Sequence, residues 1–344
     1  MDLFEYADSL GYGEIHFKAD PSIGLRAIVA VHNLNRGPAI GGCRFIEYPD
    51  TDSALRDAMR LAQGMTYKAA ISNLPHGGAK AVIIRPPNLS ESQREKIFTE
   101  YGKFVDTLNG RYLTSEDSGT SVSDMNTVKK QTDSVLGSDS GSGDPSPFTA
   151  LGCRRGLEAA VKFHYKRDDI EGLHIAVQGV GHVGYYLAKE LHDLGAILTV
   201  ADINSASTER CADEFGAKVV GPEDIYDVDA DIFAPCALGA ILNDDTIARL
   251  KVEIVAGASN NQLAEAYHGQ ALKERGILYT PDYANNAGGL ISVAQEFIGY
   301  DENIVREKCD TIFDTMMEIF ERGASENLPM NVVADRIAEE RFQR

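Results

Sequence analysis

Four things are scarce or missing in this 344-residue chain: basic charge, paired cysteines, long apolar runs and a basic leader. Lys and Arg number 33 against 52 Asp and Glu, a net charge of −19 that opposes non-specific binding to nucleic acid and to anionic lipid. Any anionic ligand must therefore be met by a local device. The five cysteines, Cys43, Cys153, Cys211, Cys236 and Cys309, are odd in number and form no CxxC pair, which argues against a disulfide framework and a zinc site. They read as reduced, mostly buried thiols of a cytoplasmic protein. No apolar run approaches the roughly 20 residues that cross a bilayer. The start, "MDLFEYADSLGYGE", has acidic residues in place of a basic region and no apolar stretch after it, so export is not expected. No HxxE or HExxH arrangement asks for a metal.

What remains is the composition of an ordinary globular protein, 43% hydrophobic and 25% charged. The length suggests two domains. "GSDSGSGDPSP", Gly137 to Pro147, has turn formers and no core residue and reads as their junction. Before it, "IGLRAIVAVHN" and "KAVII" read as strands. "SALRDAMRLAQGM" places Leu55, Ala58, Met59, Ala62 and Met65 at helical spacing. "SESQREKIFTEYGKFVDTLNG" predicts a helix with a Ser90/Gln93 capping box and Gly110 as its stop. After the junction, "LHIAVQ", "ILTVAD", "DIFAPC", "EIVAGAS" and "GILYTPD" recur between helix-length segments, the pattern of a parallel, doubly wound sheet. The fold class is α/β: a first α/β domain and a Rossmann-type second one. The mixed-charge C-terminal segment reads as helical and is expected to return to the first domain. The boundaries drawn are 1–136 with the C-terminal helices, about 326–344, and 137–325.

"IAVQGVGHVGYYLAKELHDLGAILTVAD" carries Gly179, Gly181 and Gly184 in the spacing GxGxxG, with Asp202 ending the next strand. Such a spacing alone is weak in a chain with 32 glycines. Its placement after a strand, opening a helix, and 18 residues before an acid makes it a dinucleotide fingerprint. Gly179 permits the turn, Gly181 lets the backbone approach a pyrophosphate, and Gly184 lets helix and strand close together. The turn as a whole, with Val180, His182 and Val183 between the glycines, offers N–H groups and the helix dipole to phosphate. Asp202, followed by Ile203, accepts from ribose hydroxyls and repels a 2′-phosphate, and "INSAS" holds no arginine to accommodate one. NAD is expected.

Two lysines, Lys68 and Lys80, stand among apolar and glycine residues in "GMTYKAAISNLPHGGAKAVII". Most lysines are solvated surface charges, but these neighbours suggest a shared, partly desolvated pocket. There, two ammonium groups would disfavour each other's protonation, leaving one as a base and the other as the partner of a carboxylate. "TSEDSGTS" offers Glu116 and Asp117 as the nearby acid.

"GPAIGGCRF", "GMTYKAA", "GGAKAVII", "EDSGT", "GDPSPFTALG", "APCALGAIL", "GASNNQL" and "NNAGG" follow in that order over nearly the whole chain. Together they resemble the amino-acid dehydrogenases of the glutamate, leucine, phenylalanine and valine type, and most of all the leucine members. The resemblance implies oxidative deamination with NAD, a homo-oligomer, an amino acid and its 2-oxo acid with ammonia as small-molecule partners, and no nucleic acid or membrane. It implies that Lys80 is the general acid and base, that Asp117 supports its proton transfers, and that Lys68 binds the substrate carboxylate with backbone help from Gly41 and Gly42. Asn260 falls near substrate carboxylate and nicotinamide. Thr149, Cys236, Ala237, Ala258 and Asn286 fall along the cofactor. The side-chain pocket positions read Ile40, Ala69, Ser115, Leu290 and Val293. Four of these are apolar, no basic residue awaits a second carboxylate, and an aliphatic substrate is expected in place of glutamate. Three positions depart from the pattern: Ser115 for the usual alanine, Ala79 for a glycine, and Ala284–Asn285 for a paired apolar stretch. Phenylalanine or tryptophan dehydrogenation is the alternative within the family, with Ile40 and Leu290 leaving little room. A catalytically silent NAD-binding regulator is the alternative outside it, against which both lysines and Asp117 stand. Cofactor on one domain and lysines on the other imply a closing cleft with the Gly-rich junction as its hinge.

Overall fold

The computed structural model describes residues 2–138 and 143–343; within the cluster read as a junction and hinge, 139–142 lie outside the described residues. The chain divides into two units: Met1–Gly143 with Val293–Tyr300 and Ala338–Arg344, and Asp144–Ser292 with Asp301–Ile337.

The first unit runs α1 (Leu3–Leu10), β1 (Glu14–Asp20), β2 (Leu25–Asn33), β3 (Ala39–Ile46), α2 (Thr51–Ile71), β4 (Gly77–Ile84), α3 (Glu91–Asp106), β5 (Tyr112–Glu116) and α4 (Val122–Lys129). Its sheet has the order β1-β2-β4-β3-β5. β2 pairs antiparallel with β1 and β4, whereas β3 pairs parallel with β4 and β5. All eight positions of β4 are buried, and its period of two divides them between two cores. Ala79, Ala81 and Ile83 join Ile97, Phe98, Tyr101 and Val105 of α3. Val82 and Ile84 join Ala54, Leu55, Ala58, Met59 and Ala62 of α2. Ala79, one of the departures, is thus a core methyl with no exposure.

α2 begins where Asp50 accepts a hydrogen bond from the Ser53 N–H and continues six residues beyond Met65, because Thr66, Ala69, Ala70 and Ile71 extend its buried stripe. The α3 capping box is only half formed. Ser90 accepts from the Gln93 N–H, but the Gln93 side chain donates to the Ile23 carbonyl at 3.1 Å, a part-buried bond that draws it away from the cap.

In the second unit β6 (His174–Gln178), β7 (Ile197–Ala201), β8 (Lys218–Val219), β9 (Ile232–Pro235), β10 (Ile254–Val255) and β11 (Leu278–Tyr279) alternate with helices. The helices are α5 (Ser146–Tyr165), α6 (His182–Asp193), α7 (Ser205–Phe215), α8 (Asp244–Arg249), α9 (His268–Glu274), α10 (Asp282–Asn285), α11 (Gly288–Gln295), α12 (Glu302–Glu326) and α13 (Met330–Phe342). α11 and α13 each contribute residues to both units. The sheet order is β11-β10-β9-β6-β7-β8, all parallel. This is the doubly wound order of the Rossmann fold, with the switch point beside β6. Residues at the end of α13 belong to the first unit: Asn35 and Arg36 donate to the carbonyls of Phe342 and Arg341 at 3.0 and 2.9 Å, and Tyr67 donates to Glu339 at 2.7 Å.

No helix among the described residues is long and apolar enough to cross a membrane. All five cysteines are free, and four are buried.

Two substitutions test this packing. A Cβ on Gly78 would lie 2.0 Å from the Thr66 backbone nitrogen, so Gly78→Ala is expected to destabilise the protein by about 1–3 kcal/mol, read as a lower thermal midpoint. Asn285, fully buried, donates to the Gly257 carbonyl at 2.9 Å, but its Oδ1 has no partner. The carbonyl it serves also accepts from Gln262 at 3.1 Å. Because an unmet buried acceptor costs about 1–3 kcal/mol, Asn285→Leu is expected to hold or raise the thermal midpoint. A drop of several degrees would show that the amide earns its place there.

Candidate active site

The register of the first sheet gathers one set of expected residues on the face covered by α2. Gly78 of β4 lies against Thr66 of α2, so Lys80, two residues on, shares that face. Pairing Ile40 with Gly78 and Gly42 with Ser115 adds Ile40, Gly42 and Ser115. Ala69 and Lys68 are carried by α2 itself, the first buried and the second half-buried.

Lys80 is 6% exposed. An ammonium so enclosed demands an anion, and of the two acids offered by "EDSGT" the structure pairs it with Asp117, Nζ to Oδ2 at 2.7 Å. The chain makes room for this carboxylate: a Cβ on Gly42 would fall 2.8 Å from the Asp117 Cβ and 2.5 Å from the Glu116 carbonyl. Gly41 likewise lets β3 close on Ala79, whose carbonyl a Cβ would meet at 1.7 Å, and its own carbonyl accepts from the Tyr112 hydroxyl at 2.7 Å. The turn after β5 is fastened to β3. Asp117 N–H donates to Thr120 Oγ1 at 2.8 Å, Phe45 N–H donates to the Ser118 carbonyl at 2.9 Å, and Arg94 of α3 donates to the Gly119 carbonyl at 2.7 Å.

A residue absent from the expected set completes this cluster. Arg44 of β3 donates from Nε to Asp117 Oδ2 at 3.0 Å and from Nη1 to Asp57 Oδ2 at 2.8 Å. Asp57, on α2, also accepts from the Tyr48 hydroxyl at 2.6 Å and from Arg60 at 3.1 Å. Burial pushes the Asp117 carboxyl up, but the Lys80 ammonium and then the Arg44 guanidinium outweigh it and hold the carboxyl below the usual aspartate value. The stability linked to this depression is present above the ordinary value, about 3.9, and is lost as pH falls through the lowered native value. The only sequence signal for Arg44 was its place beside the paired glycines.

The second set lies on the second unit. Gly179 adopts φ +86°, the left-handed region that glycine favours, and its Cβ would collide with Ala237 at 2.7 Å. Gly184 is pressed against the Gly179 carbonyl, 1.9 Å from a Cβ there. Gly181, by contrast, faces open space and caps α6 without a side-chain hydrogen bond, so the first N–H groups of α6 are offered outward past His182 and Val183. Asp202 accepts from the Val180 N–H at 2.8 Å and the Asn204 N–H at 2.9 Å, which fixes its carboxylate beside the turn. Ile203 is 93% exposed. A pyrophosphate over Gly181 with a ribose at Asp202 fits this cradle. Cys236 follows β9, and burial pushes its thiol up to about 12. Asn286 donates to the Ala258 carbonyl at 3.0 Å and to Asn260 Oδ1 at 2.8 Å, bringing three expected residues together. Thr149 lies against Gly289, 2.5 Å from a Cβ placed there. Leu290 and Val293 are half-buried one turn apart on α11.

Among the described residues, no group of three or more His, Cys, Asp or Glu is placed to hold a metal ion.

Comparison with known proteins agrees with the geometry. Residues 14–134 match the Glu/Leu/Phe/Val dehydrogenase dimerisation domain, and residues 204–338 match the glutamate/leucine/phenylalanine/valine dehydrogenase domain. The leucine dehydrogenase of Geobacillus stearothermophilus is 47% identical over all of this chain and 94% of its own. The phenylalanine dehydrogenase of Thermoactinomyces intermedius is 42% identical over all of this chain and 94% of its own. The crystal structure of L-tryptophan dehydrogenase from Nostoc punctiforme superposes with a TM-score of 0.90 at 42% identity, covering 99% of this chain and 98% of that one. With its mixed first sheet, its Rossmann second sheet and a lysine and aspartate in contact on a floor of glycines, the chain belongs to the glutamate, leucine, phenylalanine and valine dehydrogenase family of oxidoreductases.

Proposed function

We propose that this protein catalyses the reversible oxidative deamination of an L-amino acid with a branched aliphatic side chain, leucine, valine or isoleucine, giving the 2-oxo acid and ammonia. The observation that carries the reading is the enclosed Lys80 paired with Asp117 at 2.7 Å. The cofactor is NAD, held by the 179–184 turn, Asp202 and the Ala258, Asn260 and Asn286 group; when bound it supplies the hydride acceptor.

The remaining steps belong to the chain. Lys68 holds the substrate α-carboxylate as a fixed cation. Lys80 takes a proton from the water that attacks the imine carbon and returns one to the amine; the carbinol hydroxyl then gives its proton to the lysine as the carbon–nitrogen bond breaks and ammonia leaves, and release of that proton to solvent restores the lysine. Lysine suits this work because the same group accepts and gives back its proton. Asp117 is the anion that balances Lys80 and receives the substrate ammonium. The side-chain positions implied by the family resemblance, Ile40, Ala69, Leu290 and Val293 with Ser115, suit an aliphatic group, and each methylene buried there is worth about 0.8 kcal/mol. Several aliphatic amino acids are therefore expected to react, because such pockets separate one methylene only about 10 to 200-fold.

In this reading the first domain, 1–136 with the C-terminal helices, binds substrate and carries the subunit contacts, and 137–325 binds NAD. The match to a dimerisation domain supports a homo-oligomer, and five free thiols support a cytoplasmic location. Tryptophan or phenylalanine dehydrogenation is the second reading, favoured by relatives of those names at similar identity.

Following NADH formation at alkaline pH with a panel of L-amino acids tests both. Turnover of leucine, valine or isoleucine is expected, with Lys80→Ala lowering kcat by about 10²–10⁴. Preference for aromatic substrates would establish the second reading, and no turnover despite NAD binding would sink both. Asp202→Asn is expected to raise the KM for NAD roughly tenfold, the scale of a lost charged hydrogen bond, and to narrow the gap between NAD and NADP in the same assay.

A further inference from the structure

We infer that Arg44 is a positioning residue for the proposed reaction, keeping Asp117 a fixed anion whatever proton Lys80 carries. The inference rests on the deamination reading for its consequence, but its physical content does not.

Asp117 Oδ2 is held by two cations at once, Lys80 Nζ at 2.7 Å and Arg44 Nε at 3.0 Å. They differ in one respect. Lys80 is the group proposed to lose and regain a proton, whereas a guanidinium does not titrate in proteins. If Lys80 were the sole partner, its deprotonation would leave a largely enclosed carboxylate without a counter-charge, and that carboxylate would compete for the proton just released. With Arg44 in place the proton has no reason to stop there. Asp117 remains a hydrogen-bond acceptor through the cycle, oriented by the same fork that holds it charged.

The fork is braced on its other side. Arg44 Nη1 donates to Asp57, which Tyr48 and Arg60 also hold. The side chains of Arg44 and Asp57 are 20% and 16% exposed, enough enclosure for the pair to be held in one arrangement. A lysine at 44, a single point charge on a flexible stem, does not bridge two carboxylates in this way.

The Ser118 N–H also donates to Asp117 and favours its charged form, but it carries no charge, and among the described residues no further neighbour supplies a permanent cation. From β3, burial pushes the Cys43 thiol up to about 12, and burial likewise raises the Tyr112 phenol of β5, so both are neutral in the working range. Glu116 precedes Asp117 and is itself raised by burial and by Asp124 of α4; neither acid stabilises a second anion. Lys68 is the remaining cation expected on this face, and its proposed partner is the substrate carboxylate.

The test uses the full-length protein with Arg44→Gln and Arg44→Lys. The protonation of Asp117 is read directly as its carboxyl stretch in the infrared, in protein labelled with ¹³C at the aspartate carboxyl, with Asp117→Asn as the blank. Arg44→Gln is expected to raise the proton affinity of Asp117 at least tenfold and to move the acidic limb of kcat/KM to higher pH. Arg44→Lys is expected to restore folding stability more fully than it restores kcat, and added guanidinium to recover part of the Arg44→Gln loss. In the Asp117→Asn background, Arg44→Gln is expected to leave the pH profile unchanged. An Asp117 titration unmoved by Arg44→Gln, or by the equally neutral Arg44→Met should the first variant not fold, would overturn the inference and leave Arg44 a structural ion pair. Should the wild type turn over no amino acid, the deamination reading fails while the infrared titration still decides the role of Arg44.

Discussion

A lysine that retains 6% of its exposure cannot be left without an anion, and much of the first unit can be understood as the means of bringing one to it. Gly42 yields the volume that Asp117 fills, Thr120 and Arg94 fasten the turn that carries it, and the parallel pairing of β3 with both β4 and β5 aligns the three strands from which Arg44, Lys80 and the turn of Asp117 come. The cost of enclosing charge is offset by giving each carboxylate more than one donor. Asp117 has a lysine and an arginine, and Asp57 has two arginines and a tyrosine.

The two units meet charge by different means. The first uses side chains, with full charges packed against one another. The second presents backbone, an uncapped helix N-terminus opened by Gly181, which offers N–H dipoles suited to an anion in a turn without lysine or arginine. This suits a chain with 33 basic residues against 52 acidic ones, where an exposed basic patch would be drawn into surface ion pairs.

Much of this was legible in the sequence, for identifiable reasons. The doubly wound half announced itself because its central strands are buried on both faces and read as short apolar runs; β8, whose two residues are exposed at the sheet edge, carried no such signal. α2 was recognised by its stripe up to Met65, and the helix continues to Ile71 with Ala69, Ala70 and Ile71 buried. The mixed character of the first sheet was not readable, because parallel and antiparallel pairing at β4 depends on partners distant in the chain. In the site, glycine spacing and the lysine neighbourhood were visible. Arg44 was not, because in sequence it is one charged residue in a strand, and only register sets it between Asp117 and Asp57. The sequence offered Glu116 and Asp117 as the acid near the two lysines, and the fold pairs Lys80 with Asp117.

Asp57 and Lys68 lie on the same helix, eleven residues and about 16 Å of axis apart. α2 is therefore a ruler with two marks: one reaches Asp117 through Arg44, and the other carries the cation proposed for the substrate carboxylate. Their spacing is fixed by the backbone hydrogen bonds of a single helix, not by the softer packing between elements. A change in the core beneath α2 then translates both marks together, so the spacing of Asp57 and Lys68 is conserved even where their position over the sheet is not.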